Sequence, residues 1–78
     1  MAELTPEANR AARAILKWSV RELADHAGVA FSTVHRLEKG EAVADETKRK
    51  IVDAFAAHRV DITNGNGTGA SLRHVARD

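Results

Sequence analysis

Phe31, Ser32, His35, Arg36 and Lys39 fall on one arc when their segment is wound as a helix at about 100° per residue. That arc carries a guanidinium, an ammonium, an imidazole, a hydroxyl and one aromatic ring. Together they offer recognition of anions and hydrogen-bonding edges rather than bond making. A solvated arc accommodates His, Arg and Lys, whereas a phenylalanine there is less expected. Single exposed apolar residues are nevertheless common on protein surfaces, so the ring alone is mild support for a binding face.

Bond-making chemistry has no comparable constellation. The histidines, His26, His35, His58 and His74, lack a metal-site spacing such as HExxH, and the chain has no cysteine to join them. Asp45 and Glu46 read as the start of a helix, and no second acidic pair is placed to share a pocket. The glycine-rich run Asn64 to Gly69 lacks the lysine and following Ser/Thr of a phosphate-binding loop. No catalytic residue, metal ligand or cofactor is assigned, and an enzyme is not expected.

The helix that carries the arc is expected over about residues 31–39, closed by Gly40, with Val34 and Leu37 as its apolar stripe and Thr33 beside them. A second helix precedes it. Ser19 and Glu22 have capping-box spacing, so that helix starts at about Val20. Val20, Leu23, Ala24 and Ala27 face one side of it, and Arg21, Glu22 and Asp25 the other. Gly28 sits where the chain must leave the helix, a place that favours the left-handed conformation. Two helices around a short glycine-containing turn, the second with a projecting cationic face, describe a helix-turn-helix.

The remaining elements surround that unit. Thr5 caps a first helix, Pro6 suits its first position, and Glu7 complements its dipole. Ala8, Ala11, Ala12, Ile15 and Leu16 form its buried side, with Arg10, Arg13 and Lys17 opposite. Trp18 is expected to pack across the join between the first two helices. Asp45 is the expected N-cap of a fourth helix reaching about His58, with Ile51, Val52 and Phe55 facing the core and Lys48 interrupting that face. Val60 to Thr63 and Ala70 to Val75 read as strands of a hairpin around the glycine-rich turn. A lone hairpin is marginal in water, so it should pack on the helices or pair with its copy in a second subunit. The fold class is mainly α: a four-helix helix-turn-helix domain over 1–58, followed by a β-hairpin or extended tail over 59–78.

Length and charge set the bounds. A chain of 78 residues buries only roughly 60% of its unfolded surface, so dimerisation would help its stability. A net charge of +1 argues weakly against nucleic acid, but a specific reader needs its cations on one face rather than in excess. No apolar run approaches the ~18 residues of a membrane span, and the N-terminus has no signal-peptide pattern, so the cytosol is expected.

The run from Leu4 to Gly40 resembles small helix-turn-helix proteins of the phage Cro and repressor kind, the xenobiotic-response-element family of bacterial regulators. The motifs that carry the likeness are Arg13, Trp18-Ser19, Glu22-Leu23-Ala24, Ala27-Gly28-Val29, Ser32-Thr33-Val34 and Leu37-Glu38-Lys39-Gly40. It continues more weakly through the segment from Ala44 to Phe55, and covers about the first three quarters of the chain.

The resemblance implies a bacterial or phage-encoded, DNA-associated protein whose 31–39 helix enters the major groove. It assigns base contacts to Phe31, Ser32 and Arg36, with Thr33 as a flank. Side-chain chemistry agrees in part: Arg36 can clamp O6 and N7 of guanine, Ser32 can donate or accept, and the Phe31 ring can rest on a thymine methyl. Ser19, Arg21, His35 and Lys39 are placed for phosphates, which set register without reading sequence. Relatives often have a glutamine in place of Val20 and a capping Ser or Thr in place of Ala30. The first change removes an expected phosphate contact, and the second leaves the reading helix without its usual cap.

Where relatives carry a leucine this chain has Lys48. Its stem can lie on apolar surface with the ammonium in water. Lys48, Arg49 and Lys50 also sit near a helix N-terminus that favours phosphate, and the two readings are compatible. The resemblance further implies a structural ion pair between Arg13 and Glu38. The helical wheel alone leaves Arg13 on a polar side where it could simply be solvated.

The leading expectation is a sequence-specific regulator of double-stranded DNA, a dimeric repressor on a palindromic operator, joined through residues 60–75. Its half-sites would lie about one helical turn, ~34 Å, apart. A second class is an antitoxin or protein-interaction module that also binds its own promoter, marked by a stoichiometric protein partner. A third, an enzyme or small-molecule binder, lacks any constellation to support it.

Overall fold

The structure, a computed structural model, describes residues 4–63 and 69–72. Its elements are α1 (Pro6–Leu16), α2 (Val20–Ala27), α3 (Phe31–Glu38), α4 (Asp45–Ala57), β1 (Val60–Thr63) and β2 (Gly69–Leu72). The two central helices meet across the three-residue turn Gly28, Val29 and Ala30, the arrangement of a helix-turn-helix. Residues 64–68, where the glycine-rich turn is expected, and residues 73–78, with His74 and Val75, lie outside the described residues.

Helix starts fall into two kinds. Thr5 Oγ1 accepts from the Ala8 N–H at 3.1 Å, with Pro6 in the first turn. Ser19 and Glu22 form the full capping box: the Glu22 N–H donates to Ser19 Oγ at 3.1 Å, and the Ser19 N–H to Glu22 Oε1 at 2.8 Å. α3 and α4 begin instead on Ala30 and Ala44, which have no side-chain cap bond. The expected cap at Asp45 is therefore corrected. The backbone turns helical just after the extended Ala44, which puts Asp45 inside the first turn, where its charge still suits the helix dipole.

The ends of α1, α2 and α3 share one solution. The N–H groups of Trp18, Val29 and Glu41 return to the carbonyls of Arg13, Ala24 and Arg36 at 2.9, 3.0 and 3.0 Å, each across a left-handed residue. Those residues are Lys17, Gly28 and Gly40, with φ of 59°, 71° and 87°. The turn between α2 and α3 thus rests on a glycine in the conformation that glycine tolerates best.

One core joins the four helices and β1. Ala8 and Ala12 of α1, Leu23 and Ala24 of α2, Val34 and Leu37 of α3, and Ile51 and Phe55 of α4 are buried together. Val60 and Ile62 enter the same cluster from alternate positions of β1, as a strand's period of two requires. β1 pairs antiparallel with β2 from Val60↔Leu72 to Thr63↔Gly69, and the hairpin packs on α1 while β1 also meets α4. Of the two expected ways to support the hairpin, packing on the helices is the one observed.

Two core assignments change. Ile15, expected inside, is 37% exposed, while Asn9 is fully buried beside Ala8 and Ala12. The buried arc of α1 is rotated toward Asn9 because that amide has a partner across the core, described below. Trp18, between α1 and α2, packs on the common core and reaches beyond their join to α4. Past the left-handed turn at Lys17 its indole stacks on His26 of α2 at 4.1 Å and on Phe55 of α4 at 5.8 Å, with His58 edge-on at 4.8 Å. Among the described residues no helix is long and apolar enough to cross a membrane.

Candidate nucleic-acid interface

α3 has a fixed side and a free side. Val34 and Leu37 are buried and Thr33 is half-buried, so the helix is anchored along the stripe that its sequence marks. Its last residue is held by α1. Arg13 Nε donates to Glu38 Oε2 at 2.7 Å and Arg13 Nη2 to Glu38 Oε1 at 2.9 Å, a two-pronged pair with fixed geometry. Arg13 Nη1 reaches the Trp18 carbonyl at 3.0 Å, Arg10 Nη1 the Glu38 carbonyl at 2.9 Å, and Asn9 Nδ2 donates to Glu38 Oε2.

Arg13 is therefore not a solvated cation: its side chain is 19% exposed and that of Glu38 11%. Asn9 Oδ1 is buried with no hydrogen-bond partner among the described residues. Asn9 and Arg10 were not expected in this clamp. The available signal was an asparagine adjoining Ala8 on the apolar arc of α1, one step from Arg10.

On the opposite side Phe31, Ser32, His35, Arg36 and Lys39 are all exposed, Phe31 by 43%. The structure brings several of them together. The Arg21 guanidinium lies 4.8 Å from the Phe31 ring centroid, and the His35 ring is nearly parallel to Phe31 at 6.2 Å and 6°. A cation over a ring at an exposed site contributes about 0.5–1 kcal/mol, enough to favour one orientation of Phe31 without fixing it. This accounts for an aromatic residue on a polar arc: the ring is partly covered by two side chains of the same face.

Arg36 and Lys39 meet at a residue that sequence reasoning missed. Arg36 Nε donates to Glu41 Oε1 at 3.4 Å, and Lys39 Nζ lies 3.6 Å from Glu41 Oε2. The remaining assigned residues stand elsewhere on the surface. Ser19 is at the start of α2 with its hydroxyl engaged in the capping box. Lys48, in the first turn of α4, is half-buried and lines a recess with Leu4, Pro6, Leu37, Gly40 and Glu41.

The outer face of α3 thus presents a guanidinium fork, an ammonium, a hydroxyl and a braced ring on a helix whose other side is locked. Such a helix fits the width of a DNA major groove, where cations meet phosphate and forked donors meet base edges. Among the described residues, no group of three or more His, Cys, Asp or Glu side chains could hold a metal ion. The helix-turn-helix family matches residues 10–61, well over half of the chain, from within α1 into β1. No curated protein matches the chain. With the fold, the turn and the matched span in agreement, the chain belongs to the helix-turn-helix family of Cro/C1, xenobiotic-response-element type and is a DNA-binding transcriptional regulator.

Proposed function

We propose that the protein is a dimeric repressor that lays α3 in the major groove of a palindromic operator. The observation that carries this reading is the two-sidedness of α3, buried at Val34 and Leu37 and exposed at Phe31, Ser32, Arg36 and Lys39. In it Arg36 forks onto a guanine, Ser32 and Phe31 read the neighbouring base edges, and Thr33 flanks them. Arg21, His35 and Lys39 meet phosphates beside the groove, Ser19 through its end of α2 and Lys48 through its end of α4. Residues 60–75 join two copies: the sheet has two strands among the described residues, and an edge strand is a template for further pairing.

Selection of duplexes from a random pool, followed by titration of the winner, tests this. The expected result is a palindromic consensus bound by two chains, with affinity falling steeply as salt rises. Arg36→Ala is expected to weaken the selected duplex by about 1–3 kcal/mol and a scrambled duplex much less. Lys39→Ala should weaken both. Equal losses on the two duplexes for Arg36→Ala would remove its base-reading role, and one chain on a non-palindromic site would remove the dimer.

A further inference from the structure

We infer that Glu41 is a specificity-determining positioning residue, which holds Arg36 as a fork for a base edge and restrains it from acting as a general phosphate binder. The inference rests on the reading of Arg36 as a base contact. Its first support is the backbone. The Glu41 N–H donates to the Arg36 carbonyl at 3.0 Å and the Gly40 N–H to the Leu37 carbonyl at 3.0 Å, with Gly40 left-handed at φ 87°. This double-bonded helix terminus fixes the Glu41 Cα over the last turn of α3. Glu41 is thereby tied to Arg36 before any side chain is considered.

The side chains add a second tie between the same two residues. Arg36 Nε donates to Glu41 Oε1 at 3.4 Å. A guanidinium has five N–H donors in one plane, and engaging Nε leaves both terminal nitrogens available to another acceptor. Those are the groups that a guanine O6/N7 edge accepts in a two-pronged contact. Holding the plane in advance lowers the ordering entropy that a free arginine loses on binding.

The carboxylate also has a charge consequence. Its other oxygen lies 3.6 Å from Lys39 Nζ, so one negative charge faces both cations of the outer arc. Phosphate attraction is the sequence-independent part of DNA affinity, and this charge lowers it. The pair itself contributes little to folding, because Arg36 and Glu41 are 53% and 48% exposed. The consequence of Glu41 therefore lies in discrimination between DNAs.

The test compares wild type, Glu41→Ala, Glu41→Gln, Arg36→Ala and the double variant Arg36→Ala/Glu41→Ala. Each is titrated at several salt concentrations with a duplex selected from a random pool and with a scrambled duplex of equal length. Glu41→Ala is expected to tighten the scrambled duplex and to lower the selected-to-scrambled ratio by roughly two- to fivefold, the scale of one exposed ion pair. Glu41→Gln keeps an acceptor for Nε without the charge. It should tighten the scrambled duplex as Glu41→Ala does while retaining more of the ratio. In the Arg36→Ala background, Glu41→Ala should leave the ratio unchanged.

If Glu41→Ala tightens both duplexes by one common factor, or alters neither, the positioning role is wrong. An equal loss on both duplexes for Arg36→Ala overturns the base-reading role and this inference with it. A selective loss for Arg36→Ala beside an intact ratio in Glu41→Ala overturns this inference alone.

Discussion

α1 and α2 start on side-chain oxygens, whereas α3 and α4 start on alanines whose backbone is shaped for the same task. Ser19 has φ −74° and ψ 170°, Ala30 φ −71° and ψ 145°, and Ala44 φ −64° and ψ 148°. Only the oxygen is missing. The front half of the domain thus carries its helix boundaries in local sequence, and the back half is placed by what it packs against. For α3 those supports are Val34 and Leu37 in the core and Glu38 in the clamp from α1. A reading helix held from behind and at its far end leaves its outer face to the DNA.

If packing rather than capping defines α3, the largest losses of stability should come from its inner side. Leu37→Ala removes a buried side chain from the common core and should lower unfolding free energy by about 2–5 kcal/mol. Glu38→Ala strands Arg13 and Asn9, and should cost about 3–4 kcal/mol, the lower part of the range for an orphaned buried partner. Urea unfolding measures both. A cost at Glu38 no larger than that of a helix cap would mean that the clamp is dispensable and the comparison drawn too sharply.

Ser19→Ala probes the opposite arrangement. It removes the oxygen that accepts the Glu22 N–H while leaving the core untouched, and a loss of about 0.5–2 kcal/mol is expected in the same urea experiment. A loss near zero would show that α2, too, is defined by packing.

The same contrast explains how much could be read from the chain. The capping box at Ser19, the turn at Gly28 and the two faces of α3 were legible because each signal is local and repeats with the helical period. The hairpin was legible as alternation from Val60, which pairs as β1 with β2. Asp45 was misplaced because its side chain is a strong cap former, while the actual cap position is held by an alanine that carries no signal. Asn9 was misread, and the reach of Trp18 to α4 not foreseen, because Glu38 and Phe55 are distant in sequence. Lys17 ends α1 in a left-handed conformation without the glycine that announces one. At the interface, the exposed arc of α3 was visible, but Glu41 was not. Its link to Arg36 depends on the reversal of the chain at Gly40, which helical periodicity cannot carry past the helix end.

The smallest effect sharpens the comparison most. Ala30→Ser places an acceptor at the start of α3 on a backbone already extended there, opposite first-turn N–H groups that have no side-chain partner. The expected gain is about 0.5–1 kcal/mol, the lower half of what a cap contributes, because the Thr33 N–H already bonds the Ala30 carbonyl at 3.1 Å. Ala44→Ser at the start of α4 is the matching control, and the two gains should add, since they lie at separate helix starts. Urea midpoints at unchanged slope distinguish a true gain from a change in the unfolded chain. If Ala44→Ser stabilises and Ala30→Ser does not, the first turn of α3 is already satisfied by its surroundings. The Arg21–Phe31–His35 stack at that end would then be a structural brace as well as part of the DNA-facing surface.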